Sequence, residues 1–260
     1  MADYIFIRKS RNILSSILHV VFNILLGVGS IFITIVSGSF IIGCFLVLVS
    51  KWRMFMVHPR YWFFNFKSNL VDLIVGFSFI LLAYLAGTTL APIHLLLTVA
   101  YVAWLIFIKP RSSASATILQ ALVAVFLGSS VAALIAATVN PIVICFLCFI
   151  IGYGASRHVI IQSGDREYSL IVLTYGLFFA EIAWLSHAWL IIYTFGDSGI
   201  RIPQLAIILT ILSFAFNRIY QSILRNDGAF KGSDVALPII FSVLTIFIII
   251  FGFSQPIFNV

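Results

Sequence analysis

Long apolar runs occupy most of this chain, and they decide what it can fold into. The breaks between the runs hold nearly every Lys, Arg and Gly/Pro turn signal. A helix needs about 20 apolar residues to cross the hydrocarbon core, because it rises about 1.5 Å per residue. We therefore predict an all-α, polytopic helical membrane protein. The runs lie at 13–50, 70–87, 91–108, 117–138, 141–156, 169–195, 203–220 and 235–253.

The composition agrees with a membrane protein and excludes other classes. Of the 260 residues, 62% are hydrophobic and 9% are charged, whereas soluble domains have under half apolar and about a quarter charged residues. The apolar content excludes a disordered chain, and three cysteines are too few for a disulfide framework. The net charge of +7 follows from basic loops, so it does not indicate a nucleic-acid partner.

The run at 13–50 is too long for one upright span, and Gly27, Gly29 and Ser30 interrupt it. We interpret it as two short helices joined by a tight hairpin, which gives nine spans. With a cytoplasmic N-terminus and an outer C-terminus, 14 of the 15 basic residues fall in cytoplasmic segments, and only Arg201 lies outside. A single tilted span would give eight spans and move three more basic residues outside. Because Lys and Arg accumulate in cytoplasmic loops, we prefer nine spans and keep eight as the alternative.

The N-terminal segment also resembles a signal peptide, since basic residues from Arg8 to Arg11 precede an apolar stretch. His19 and Asn23 interrupt that stretch, and the chain continues directly into another span. We therefore expect the segment to be retained, with cleavage as the alternative.

The run at 117–138 carries small residues that predict close helix packing. Ala124, Gly128, Ala132 and Ala136 recur every four residues and share one helix face. Small residues let a second helix approach closely, which is how membrane helices gain packing energy. We expect this helix to be the most enclosed of the bundle. We favour intramolecular packing for the stripe and keep a dimer interface as the alternative.

Residues 51–68 form the longest cytoplasmic segment of the first half of the chain. Aromatic rings interleave there with cations, and the expected contact residues are Arg53, Arg60, Trp62 and Lys67. Such a segment places rings at headgroup depth and cations against lipid phosphates. We interpret it as an aromatic belt that also carries positive-inside charge, and we keep a docking surface for an anionic lipid or a partner protein as the alternative.

Glu181 is the ionisable residue that lies deepest in a predicted span. It is 12 residues from the start of the run at 169–195 and 14 from its end, or about 18 and 21 Å along the axis. A charged carboxylate near the midplane costs about 3 kcal/mol, so we expect Glu181 to be protonated, paired or facing a wet cavity. Proton coupling is one hypothesis for it, and a neutral glutamate hydrogen-bonded to a neighbouring helix is the other.

Further polar residues are candidate members of an intramembrane polar site with Glu181. His19 and Asn23 are four residues apart and share a helix face. His187 is six residues from Glu181 and is rotated from it by about 120° on a regular helix, so the two do not pair directly. Trp184 lies between them in angle and would line the same side.

Asp72 is a further candidate for the intramembrane polar site, but we favour a structural interpretation for it and for His94. Asn69 and Asp72 have the spacing of a helix N-cap and an acid in the first turn, so Asp72 complements the helix dipole. His94 stands next to Pro92 near an outer helix start, and we interpret it as an interfacial histidine rather than a ligand.

Several chemistries are excluded by what the chain lacks. All five lysines fall in loops, which excludes a retinal Schiff base, and there is no G-x-x-x-x-G-K-[ST] phosphate loop. Cys145 and Cys148 lie in an apolar helix without the further ligands of a zinc site. Asp165 and Glu167 come nearest to a cation site, and we interpret them as a solvated turn. We expect no metal and no cofactor.

Three function classes remain for a single bundle of residues 1–260 in a plasma or bacterial inner membrane. A transporter or permease, with proton coupling as an option and its substrate unidentified, fits Glu181 and the small-residue helix. A membrane subunit or scaffold, which binds lipid or a partner protein at its cytoplasmic face or forms a homo-oligomer, fits the 51–68 segment. An intramembrane enzyme fits least. We favour the transporter and keep the subunit as the alternative.

Overall fold

The computed structural model describes residues 2–87, 91–162, 169–189, 191–195, 200–226, 229 and 231–253, and most of them are helical. The helices are α1 (Ala2–Ser37), α2 (Phe40–Ser50), α3 (Trp62–Ser68), α4 (Leu70–Leu85), α5 (Pro92–Ala103), α6 (Ala114–Ile135), α7 (Pro141–Gln162), α8 (Ser169–Ser186), α9 (Gln204–Arg225) and α10 (Gly232–Gly252). Short 3₁₀ turns lie at Trp52–Met54, Pro59–Tyr61 and His187–Trp189, and a π-helix (Trp104–Ile108) continues α5. β1 (Ile192–Thr194) pairs antiparallel with β2 (Arg201–Pro203).

Six helices in the described residues are long and apolar enough to cross a membrane. They are the Ile17–Ser37 part of α1 together with α6, α7, α8, α9 and α10. A seventh span results if Pro59–Ser68, which ends with α3, acts as one span with α4 despite the 69° bend between them. α2 and α5 with its π-helix are shorter apolar helices. The chain is thus an all-α, multi-pass helical membrane protein, as predicted.

The turn in the first apolar run lies at Gly38, so its predicted position at Gly27, Gly29 and Ser30 is wrong. α1 continues without a break to Ser37. Gly38 then takes a φ of 61°, a left-handed conformation that glycine adopts at little steric cost. The run does contain two helices, but the first is long and the second has only 11 residues.

Gly27 and Ser30 serve packing within α1 instead of a turn. A Cβ on Gly27 would lie 2.7 Å from Cγ2 of Val102, so the missing side chain lets α5 approach. The Ser30 hydroxyl donates to the Gly27 carbonyl oxygen at 3.4 Å, which satisfies it inside the helix. Small and hydroxylated residues are therefore compatible with an unbroken membrane helix.

The residues group into two compact units. Unit 1 comprises Met1–Pro59 and Phe79–Arg111. In unit 1, α1 packs against α2, α5 and the π-helix, and Tyr101 and Trp104 are each 2% exposed in its core.

Unit 2 comprises Arg60–Ser78 and Ser112–Val260. α7 packs on both α6 and α8, α9 packs on α6, and α10 packs on α9. Close approach at the α7–α8 interface depends on Gly152, because a Cβ there would lie 2.7 Å from Cγ of Phe179.

The apolar run at 169–195 divides into a helix and a strand, so the span predicted there is too long. α8 ends at Ser186, and β1 follows a 3₁₀ turn. Ile192, Tyr193 and Thr194 are β-branched or aromatic, which favours a strand.

β1 and the start of α9 hold the end of α10 through two hydrogen bonds. The Tyr193 hydroxyl donates to the carbonyl oxygen of Phe253 at 2.9 Å, and Nε2 of Gln204 donates to that of Ile249 at 2.8 Å. The last carbonyls of a helix have no partner inside it, so these side chains satisfy groups that would otherwise stay unpaired.

Candidate functional site

An apolar groove lies between α1 and α2 of unit 1, within the depth of the membrane-spanning part of α1. Its volume is about 670 Å³. Apolar side chains line most of this α1–α2 groove, and its polar residues are His19, Asn23, Ser30 and Ser50. Ligand pockets of roughly 300–1,000 Å³ with an apolar lining and a few polar groups are typical of small-molecule sites.

Gly29 leaves the groove open. Gly29 lines the groove. A Cβ built on it would have no atom within 4 Å other than those of its chain neighbours and the nearby backbone of its own helix. Gly27, two residues earlier, packs tightly against Val102. The two glycines lie two residues apart, but Gly27 lets two helices pack closely and Gly29 leaves open space in the groove.

His19 and Asn23 form a hydrogen-bonded pair beside the groove. Nδ2 of Asn23 donates to Nδ1 of His19 at 3.2 Å, so the structure brings together two residues that the sequence places on one helix face. His19 is exposed and Asn23 is half-buried. The pair therefore places polar groups beside the apolar lining of the groove.

The first part of the 51–68 segment lies in unit 1 and exposes most of its side chains. Arg53 is exposed in the first 3₁₀ turn, next to Trp52, which is 53% exposed. Phe55 and Met56 are exposed as well. Exposed aromatic and apolar residues beside a cation are typical of a membrane-interface surface.

The second part of the segment lies in unit 2, where cations stand over aromatic rings. The guanidinium carbon of Arg60 is 4.5 Å from the ring centre of Tyr61, and Nζ of Lys67 is 4.3 Å from that of Phe63. Trp62 is exposed beside them. In both pairs a charged group lies beside an aromatic ring, as expected of residues at headgroup depth.

Glu181 lies on an exposed face of α8, together with Trp184, and His187 is exposed in the following 3₁₀ turn. Because α8 ends at Ser186, Glu181 is five residues from the helix end, or about 7.5 Å, and not the predicted 21 Å. No hydrogen bond or ion pair joins its carboxylate to another described residue of unit 2. The face it occupies is turned outward rather than toward the interior of the helices of its unit.

The small-residue stripe of α6 is buried in unit 2. Ala124, Gly128, Ala132 and Ala136 are all buried. A Cβ on Gly128 would lie 3.0 Å from side-chain atoms of both Ile151 and Ile74, so α4 and α7 approach α6 at this glycine. The stripe packs within the chain.

Asp72 lies in the first turn of α4 and is half-buried. Asn69 precedes it, but its amide Nδ2 donates to the carbonyl oxygen of Asn65 at 2.9 Å. The Asn69 side chain thus caps the end of α3, which is a different use from the predicted N-cap of α4.

Sequence reasoning missed the buried polar contacts at one end of α7. His158 Nε2 donates to Oε1 of Gln120 on α6 at 2.8 Å. Arg157 is only 6% exposed, and its guanidinium donates to the carbonyl oxygen of Lys67 at 2.7 Å. The sequence signal available for them was a glutamine inside the run at 117–138 and two basic residues directly after the run at 141–156, which does not identify the partners.

His94 is a structural residue of unit 1 and is buried, which differs from its predicted interfacial position. The Ala91 N–H donates to Nδ1 at 3.2 Å, so Nε2 carries the proton and donates to the Ala83 carbonyl oxygen at 3.1 Å. His94 therefore ties the start of α5 to the end of α4.

The acidic pair Asp165 and Glu167 lies outside the described residues. Among the residues that the structure describes, no group of three or more His, Cys, Asp or Glu is arranged to hold a metal ion. The free thiol of Cys148 is buried in α7 and that of Cys145 is half-buried.

Comparison with known proteins gives no relative: no family model, curated protein or solved structure matches the chain.

Proposed function

We propose that this protein is a membrane protein that binds a lipid in the α1–α2 groove and works as a lipid-binding membrane subunit rather than as an enzyme. The observation that carries the proposal is the groove itself, because it is apolar, of ligand size and located on a membrane-spanning helix. Its ligand reaches it from the bilayer, so a molecule with acyl chains is the occupant that fits. The exposed rings and cations of the 51–68 segment support a protein that contacts headgroups, and we propose that these are anionic.

The groove combines a long apolar lining with a few polar residues, and this combination suits an amphiphilic ligand. Acyl chains would lie along the apolar lining of the groove, where close packing rather than transfer from water would hold them. The hydrogen-bonded His19 and Asn23 would meet the more polar part of the lipid.

Gly29→Leu is expected to lower lipid binding without unfolding the protein. The leucine side chain enters the open space beside Gly29 and displaces part of the ligand, which removes packing contacts and weakens binding several-fold. Native mass spectrometry of the detergent-purified full chain, titrated with dioctanoyl phosphatidylglycerol and dioctanoyl phosphatidylcholine, measures this. Both lipids should bind more weakly.

Gly29→Ala is the matched control. Its single methyl group fills little of the groove and favours the helix, so lipid binding and the melting temperature should stay close to those of the wild type. Wild-type affinity in Gly29→Leu, with an unchanged melting temperature, would contradict the proposed function.

Proton-coupled transport is the second candidate function, with its substrate open. Two ionisable side chains on membrane-spanning helices support it: His158, hydrogen-bonded to Gln120, and Glu181. Under this proposal Glu181→Gln abolishes proton-linked flux in proteoliposomes made from pure protein. Equal proton flux in the wild type and the variant, at equal melting temperature, would rule out the role of Glu181.

We further propose nine spans in one bundle of residues 1–260, with a cytoplasmic N-terminus, an outer C-terminus and a plasma or bacterial inner membrane as its location. The described helices supply nine apolar segments when α3 with α4 counts as one and the shorter α2 and α5 are included. α2 rises only about 16 Å, so it crosses only where the bilayer is locally thin. In intact cells, an impermeant thiol reagent should label Arg201→Cys but not Arg111→Cys; the opposite pattern would reverse the orientation.

A further inference from the structure

Two of the polar side chains in the α1–α2 groove are already satisfied within their own helices. The hydroxyl of Ser30 donates to a backbone carbonyl oxygen three residues earlier at 3.4 Å, and that of Ser50 does the same at 2.6 Å. Serine hydroxyls in helices commonly bond back to the backbone in this way. His19 and Asn23 therefore remain to recognise the polar part of a ligand.

The hydrogen bond between His19 and Asn23 leaves one donor and one acceptor for a ligand. Nδ2 of Asn23 lies 3.2 Å from Nδ1 of the His19 ring and 3.4 Å from Nε2. In an imidazole that accepts this bond, the other ring nitrogen carries the proton and is a donor. Donation through Nδ2 leaves Oδ1 of Asn23 as an acceptor. Among the described residues, neither of these two groups has a hydrogen-bond partner.

A donor beside an acceptor matches a hydroxyl group. A hydroxyl accepts through its oxygen and donates through its hydrogen, so it can bond to His19 and Asn23 together. The oxygens of a phosphate diester only accept, so they would bring negative charge against Oδ1 of Asn23. Among the described residues that line the groove, none is a charged residue that could offset a phosphate. The pair thus favours an uncharged ligand.

The polar pair and the open part of the groove lie along the same helix. Gly29 is ten residues beyond His19 on α1, or about 15 Å further along the axis. Leu25 and Leu26 line the groove between them. A ligand that fills this length needs a polar group at one end and an apolar body that extends from it.

We propose that the α1–α2 groove binds a diacylglycerol, whose free hydroxyl bonds to His19 and Asn23 and whose acyl chains extend toward Gly29. This inference rests on the proposed function, because it names the class of lipid that the same groove takes. A diacylglycerol carries no charge and has one hydroxyl beside its two chains. The anionic lipids that contact the 51–68 segment are then separate molecules of the surrounding bilayer.

Blocking the hydroxyl of the ligand tests the site. Native mass spectrometry of the full chain in detergent compares dioctanoylglycerol with its O-methyl ether, which has the same chains but no hydroxyl hydrogen. The wild type should bind dioctanoylglycerol about tenfold more tightly, because the ether leaves Oδ1 of Asn23 without a donor.

Asn23→Leu removes the acceptor, so this variant should bind dioctanoylglycerol and the ether with nearly equal affinity. Its affinity for the ether should stay close to that of the wild type, which shows that the groove is intact. Ser37→Ala is the control. It removes an exposed polar group from the same helix outside the groove and should keep the tenfold preference.

A third probe tests the charge of the ligand. Dioctanoyl phosphatidic acid carries a phosphate in place of the hydroxyl and should bind more weakly than dioctanoylglycerol. Tighter binding of the phosphatidic acid would overturn the uncharged assignment. Equal wild-type affinity for dioctanoylglycerol and its ether, or a preference that persists in Asn23→Leu, would overturn the hydroxyl site.

The groove and the hydroxyl site fail independently. If Gly29→Leu changes the binding of no lipid but Asn23→Leu still abolishes the preference for dioctanoylglycerol, the groove is refuted and the hydroxyl site stands. If Gly29→Leu weakens every lipid but the wild type binds dioctanoylglycerol and the ether equally, the groove stands and the hydroxyl site is refuted.

Discussion

Gly43→Leu is expected to separate α1 from α2 and to destabilise unit 1 strongly. A Cβ on Gly43 would run into the hydroxyl of Thr34, and it would lie 2.8 Å from Cγ2 of Ile80 and 3.1 Å from the Ser30 carbonyl oxygen. The carbonyl belongs to the backbone of α1 and cannot rotate away. Overpacking of this kind costs about 3 kcal/mol or more, which corresponds to a melting temperature lower by on the order of 10 °C.

The same substitution at Gly29 is the control for this experiment. Gly29 is on α1 of the same unit, but a Cβ there meets nothing within 4 Å. Thermal unfolding in detergent, followed by intrinsic fluorescence, should show a large loss for Gly43→Leu and little change for Gly29→Leu. Similar melting temperatures for the two variants would mean that α1 and α2 do not pack at Gly43.

Hydropathy predicted the positions of the apolar helices well, although six helices, or seven with the bent pair, are long enough to span among the described residues. The runs at 70–87 and 91–108 correspond to α4, at Leu70–Leu85, and to α5 with its π-helix, which ends at Ile108. Membrane insertion depends on the summed apolarity of about 20 residues, so single residues hardly change the result. Boundaries marked by Pro92 and Pro141 were also correct to within one residue, because proline favours the first turn of a helix.

The position of the turn in the run at 13–50 could not be predicted from hydropathy. Gly27, Gly29 and Ser30 give a stronger turn signal in sequence than Gly38 and Ser39 do. In a membrane, however, glycine also serves close packing and leaves space, and Gly27 and Gly29 are used for these purposes. Which use applies depends on the helix opposite, and the local sequence does not contain that information.

The depth of Glu181 was misjudged for a related reason. Ile192–Thr194 is as apolar as a helix end, so hydropathy added it to the span. β-branched and aromatic residues and the pairing with Arg201–Pro203 make it a strand instead. The centre of the apolar run is therefore not the centre of α8.

The buried hydrogen bonds of α7 could not be predicted from the sequence. His158 and Gln120 are 38 residues apart, and Arg157 and the Lys67 carbonyl are 90 apart. In the positive-inside pattern Arg157 counts as one more cytoplasmic charge. Only the packing of α7 in unit 2 shows that it is buried and bonded to backbone.

Arg157→Met is expected to loosen α3 from α7. The guanidinium donates to the carbonyl oxygen of Lys67 in the last turn of α3, where carbonyls have no partner within the helix. A hydrogen bond to a charged group contributes about 2 kcal/mol, so the opening of α3 should become about 30-fold more frequent. Trypsin cleavage after Lys67, in detergent under conditions where opening precedes cleavage, should accelerate by the same factor.

Arg218→Met is the control, because it makes the same chemical change at an exposed position where we expect little effect on cleavage after Lys67. Arg218 is exposed on α9, and its guanidinium carbon lies 5.2 Å from the ring centre of Phe214, an exposed contact worth at most about 1 kcal/mol. Cleavage after Lys67 should keep its wild-type rate in this variant. Equal cleavage rates in the two variants would mean that the hydrogen bond from Arg157 does not hold α3. The positive-inside pattern alone would then account for an arginine at that end of α7.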